Sequence, residues 1–94
     1  MNGQQQQINI KANDETMKGA YANNMMVAHS KEEFVMDFIN LFPPQGLLVS
    51  RVITSPGHMK RILAALADNL KKYEEKFGSV EAAESPKTEI GFKV

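Results

Sequence analysis

Glu33-Phe34-Val35-Met36-Asp37-Phe38-Ile39-Asn40-Leu41-Phe42 is the stretch on which the fold turns. As a strand it alternates, with Phe34, Met36 and Phe38 on one face and Val35, Ile39 and Leu41 on the other. As a helix it takes Ser30 as N-cap and Glu33 three residues on, the pattern of a capping box. Phe34, Val35, Phe38, Ile39 and Phe42 then make one apolar stripe that stops at Pro43-Pro44. Periodicity alone does not separate the two. The density of β-branched and aromatic side chains, with a strand-like run on each side, favours the strand.

On the C-terminal side, Pro43-Pro44-Gln45-Gly46 turns the chain, and Leu47 to Thr54 (LLVSRVIT) reads as a further strand. Strict alternation sets Leu47, Val49 and Ile53 against Leu48 and Val52. On the N-terminal side, Tyr21 to Ser30 (YANNMMVAHS) reads as a strand through its Tyr and Val, weakened by its asparagines. Asn13 to Gly19 is a turn region by its Asn, Asp and Gly. Ile8-Asn9-Ile10-Lys11-Ala12 alternates and is expected to be a first strand.

After the strands comes one long helix. Ser55 is a good N-cap, Pro56 suits the first helical position, and Gly78 is the stop. Met59, Leu63, Leu66, Leu70, Tyr73 and Phe77 are spaced 4, 3, 4, 3, 4, a heptad seam that Ile62, Ala65 and Ala67 widen. The expected fold is α+β: a small antiparallel sheet of about four strands, then one long C-terminal α-helix packed on it. Residues 1–7 are a loose polar tail, 8–78 a single domain, and 79–94 a second tail whose end, Ile90 to Val94, suits a short edge strand.

Ninety-four residues, 43% hydrophobic and 23% charged, fit one small globular domain. Lys plus Arg and Asp plus Glu both number 11, so the net charge is zero, a poor footprint for a general nucleic-acid binder. The N-terminal half carries a net −2 and the C-terminal half +2, too mild to steer association strongly. The absence of Cys excludes a disulfide scaffold, a thiolate zinc site and a cysteine nucleophile. The opening MNGQQQQ has neither a basic nor an apolar signal region, and no apolar run reaches membrane-span length, so a cytoplasmic setting is expected.

The chemistry-bearing residues are few. His29 and His58 lack metal-ligand spacing, and the acids Glu32, Glu33 and Asp37 complete no recognised ligand set. His29 reads as a hydrogen-bonded surface residue. Ser30 and Ser55 lie in no nucleophile motif and read as turn or capping residues, and no Gly-rich phosphate loop occurs. No catalytic residue, cofactor or metal is assigned, and the chain is expected not to be an enzyme. Asp37 and Arg51 each interrupt an apolar run; in a hairpin closed at Pro43-Pro44 they pair and fix register.

His58, Lys60 and Arg61 crowd the first two turns of the helix, before its first acid, Asp68. Cations there oppose the helix dipole, which suits an anion or an acidic partner surface; a solvated face is the plainer reading. With Arg51 they form the candidate anion or partner contact, to which Lys71 and Lys72 add charge. Nucleic acid is the less favoured partner. Leu63, Leu66, Leu70, Tyr73 and Phe77 are the candidates for self-association. Both sheet faces are apolar and one helix covers only one of them, so a homodimer or higher homo-oligomer is expected, with room for a further protein partner.

Five blocks occur in order: Tyr21-Ala22-Asn23, Glu33 to Phe38, Ser50-Arg51-Val52-Ile53, Ser55 to Arg61 (SPGHMKR) and Asn69 to Glu74 (NLKKYE). Together they resemble a small prokaryotic family catalogued as domain of unknown function 3467, over about residues 8 to 80. Gly57 departs from the Glu or Gln that precedes the histidine in members, and the polar C-terminal tail is longer. The resemblance implies no activity, ligand or catalytic residue, and it agrees with the strand reading of the middle segment. The expected function is that of a non-enzymatic, oligomeric protein–protein interaction module. The alternative is nucleic-acid or phosphate binding through the basic start of the helix.

Overall fold

A computed structural model of the chain describes residues 6–85, 90 and 91. In chain order the elements are α1 (Asp14–Lys18), β1 (Asn24–His29), β2 (Phe34–Phe42), β3 (Gln45–Thr54) and α2 (Pro56–Phe77). The fold is α+β, an antiparallel sheet in the order β1-β2-β3 and a long helix. By contacts the chain divides into two units, Met1–Pro56 with the sheet and Gly57–Val94 with nearly all of α2.

The middle segment is the central strand of a three-stranded sheet, one strand fewer than the sequence suggests. Ile8 to Ala12 is irregular, with Ile8 and Ile10 exposed. Alternation says which side chains would share a face, but a strand also needs a neighbour's backbone groups. Asn13 to Gly19, expected as a turn, holds the short helix α1. The Asn13 side chain accepts from the Thr16 N–H at 2.7 Å, Asp14 and Glu15 occupy the first turn, and Gly19 ends it at φ 78°. The expected strand at Ile90 to Val94 lies largely outside the described residues; Ile90 and Gly91 themselves are irregular.

Both hairpins are tight. Ser30 Oγ accepts from the N–H groups of Glu32 and Glu33, and the Ser30 N–H donates to the Glu33 carbonyl at 2.9 Å, which closes the β1–β2 turn. Only Pro43 and Pro44, joined by a cis peptide, separate β2 from β3. Gly46 lies opposite Leu41, where a Cβ would stand 3.1 Å from Leu41 Cδ1.

Phe38 pairs with Ser50 but Ile39 with Leu48, so Val49 is an extra residue in a β-bulge. The bulge inverts the parity of β3. Ile53, beside Val35, and Leu47, beside Asn40, therefore lie on opposite faces, although strict alternation would put them together. Among the described residues the buried apolar ones are Met36 and Ile39, both on β2, with Asp37 between them and Met36 on the other face.

α2 runs the 22 residues from Pro56 to Phe77. Gly78 follows at φ 97°, and its N–H donates to the Glu74 carbonyl at 2.9 Å, the left-handed close that glycine suits.

Candidate functional site

Asp37 and Arg51 are cross-strand partners, and the guanidinium engages the carboxylate with two bonds: Nε to Oδ1 at 2.7 Å and Nη2 to Oδ2 at 2.9 Å. The fork geometry matches carboxylate spacing and makes this a strong form of ion pair. Asp37 is buried, while the Arg51 side chain is about half exposed, at 52%. The hydrogen bonds from Arg51 hold the Asp37 carboxyl below the usual carboxylate range, against the opposing effect of burial, and Asp37 in turn raises Arg51. The sequence pairing of these residues is thus realised. Arg51 is committed to it, which weakens its candidacy for binding an external anion.

The remaining basic candidates lie on α2. His58, Lys60 and Arg61 occupy its first two turns with exposed side chains. Lys72 forms an i,i+4 pair with Asp68 at 3.0 Å, and both are exposed. His29 is exposed, as expected, and sets its ring against Phe34, its cross-strand partner, with centroids 5.3 Å apart. Among the described residues, no group of three or more His, Asp or Glu converges as a metal site would need. No described helix is long and apolar enough to cross a membrane.

One residue that sequence reasoning passed over shapes the sheet. Asn23 precedes β1, and its side-chain amide behaves as one more backbone unit. Nδ2 donates to the Leu41 carbonyl at 3.0 Å, and Oδ1 accepts from the Leu41 N–H at 2.8 Å. Its own N–H donates to the Ile39 carbonyl at 3.0 Å. Asparagine is a poor strand former, so one at the mouth of a strand was the available signal.

The largest feature is apolar. On the sheet, Met25, Val27, Leu47, Leu48, Val52 and Ile53 are exposed, from both faces. On α2, the seam residues Leu63, Leu66, Leu70, Tyr73 and Phe77 are between 48% and 65% exposed. Tyr73 and Phe77 make a tilted ring pair 5.0 Å apart, and Lys76 Nζ lies 5.3 Å from the Phe77 ring. All five self-association candidates therefore lie along one stripe of one helix, with their side chains largely in water.

A family model described as protein of unknown function (DUF3467) matches residues 1–82. The chain belongs to that family. Neither a curated protein nor a solved structure matches it.

Proposed function

We propose that this member of the DUF3467 family is a non-enzymatic protein–protein interaction module that acts as a homo-oligomer, most simply a dimer. The proposal includes a cytoplasmic setting and neither cofactor nor catalytic residue. One observation carries it: among the described residues, apolar side chains on both sheet faces and along the seam of α2 are exposed, and the buried apolar ones are Met36 and Ile39. Exposed apolar side chains clustered on one element in this way mark an interaction site. A cyclic dimer covers such surface with a copy of itself.

Multi-angle light scattering of the purified chain tests this directly. A mass of two chains or more at tens of micromolar protein is the expected result; a strictly monomeric mass refutes the reading. The anion-binding alternative now rests on the start of α2, since Arg51 is engaged by Asp37. Binding of DNA or RNA that weakened steeply with salt would favour it.

A further inference from the structure

We infer that α2 associates with α2 of a second copy in antiparallel orientation, about a two-fold axis level with Asp68, with Lys60 of each chain against Glu74 of the other. This rests on the homo-oligomer reading above and specifies its geometry. The seam spacing 4, 3, 4, 3, 4 reads the same from either end. Turned end for end about Asp68, Met59 meets Phe77, Leu63 meets Tyr73, and Leu66 meets Leu70, so every seam residue acquires an apolar counterpart.

The flanking positions decide the direction. With Leu63 and Leu70 at a and Leu66 and Tyr73 at d, the e positions are Lys60, Ala67 and Glu74, and the g positions Ile62, Asn69 and Lys76. In antiparallel pairs e flanks e and g flanks g. Lys60 then meets Glu74 twice by symmetry, Ala67 meets Ala67, and Asn69 meets Asn69, a small pair and a self-complementary amide pair beside the axis. Lys76 lays its aliphatic stem along Ile62.

In a parallel pair e flanks g. Glu74 would then face Asn69, Lys76 would face a position beyond the helix, and the basic first turns of both copies would crowd together. The complementarity of Lys60 and Glu74 has no use within one helix, because 14 residues separate them by about 21 Å along the axis. Glu74 Oε2 accepts from the Val80 N–H at 2.9 Å, which holds the carboxylate at the C-terminal end. The exposed pair of Asp68 and Lys72 lies at f and c, outside the seam.

The chain has no native Cys, so each single-cysteine variant takes one spin label. Arg61→Cys, Asp68→Cys and Glu75→Cys place labels one heptad apart on the outer face. Dipolar spectroscopy of the full chain should give its shortest inter-chain distance at 68. The distances at 61 and 75 should be longer and similar, because their axial offsets are each about 21 Å. Lys60→Glu and Glu74→Lys should each weaken the dimer about fivefold, since two exposed pairs turn repulsive, and the double swap should restore it.

Circular dichroism verifies that each variant keeps its helix. A dimer with equal distances at the three positions, a dimer with no inter-chain signal from α2, or a double swap that restores nothing overturns the antiparallel pairing and leaves the homo-oligomer reading standing. A monomeric mass by light scattering removes both.

Discussion

Leu66→Ala is the most informative single change, because the exposed and covered states of the seam predict opposite outcomes. In the single chain Leu66 is 63% exposed. Burying a leucine side chain completely contributes about 1.5–3 kcal/mol, so covering the exposed part contributes about 1–2 kcal/mol per chain. Two chains lose it together in a dimer, about 2–4 kcal/mol, which raises the dissociation constant about 30- to 700-fold at tenfold per 1.4 kcal/mol. If the seam stays in water, the same change replaces an exposed leucine by the best helix former and should shift stability by no more than about 0.5 kcal/mol. Lys72→Ala is the control: its partner is the exposed Asp68, and the loss should stay within about 0.5 kcal/mol. Thermal unfolding across a hundredfold range of protein concentration, with the mass followed by light scattering, reads both. If the seam joins subunits, the Leu66→Ala loss shrinks as concentration rises, because association stabilises by mass action. A large loss with no concentration dependence means the seam is covered within one chain and refutes its role between subunits. Small, equal effects at both positions mean the seam is not covered at all.

Two further outcomes follow from the sheet. The Asp37 carboxyl is depressed in the folded state, so its contribution is fully present above the unfolded value of about 4 and is lost as pH falls through the folded value. Arg51 is raised, so its contribution persists through the acid and neutral range. Asp37→Asn should therefore lower Tm at neutral pH and flatten its fall in acid; a variant with the same acid slope as the parent removes the pair from the account. Asn23→Ala should cost about 1 kcal/mol, or about 4–8 °C in Tm, because two bonds to Leu41 go while water can reach the freed groups. Asn23→Asp keeps the acceptor and should fall between, and an unchanged Tm for both would show that the clamp contributes nothing.

The sequence carried its clearest information where local chemistry is self-sufficient. The ends of α2 follow from Pro56 and Gly78, whose backbone preferences act without help from elsewhere. The pairing of Asp37 with Arg51 follows from a hairpin whose turn is fixed by two prolines. What stayed hidden depends on partners. Ile8 to Ala12 has the pattern of a strand but pairs with none of the three strands, and no residue-level rule supplies a partner. The capping signals of α1 were present in Asn13, Asp14, Glu15 and Gly19, but without an apolar stripe they resemble a turn. The bulge at Val49 left no trace because LLVSRVIT satisfies alternation in either parity. The self-association candidates were legible as a seam from spacing alone; their exposure was not.

That bulge also gives β3 slack. Ten residues of β3 run beside nine of β2, and the surplus residue is Val49. Were Val49 deleted, Ser50 would stay opposite Phe38 and Leu48 opposite Ile39, and the ladder would close without changing any partner. Arg51 would keep Asp37, Gly46 would keep its place beneath Leu41, and the two-proline turn would not move. The strand thus tolerates losing a residue at this point, at the expense only of local twist. A deletion between Arg51 and Thr54 has no such reserve beside it, and would slide the residues that follow it, up to Thr54, off their partners on β2. Chains of this plan that differ in length within β3 should therefore differ between Gly46 and Ser50.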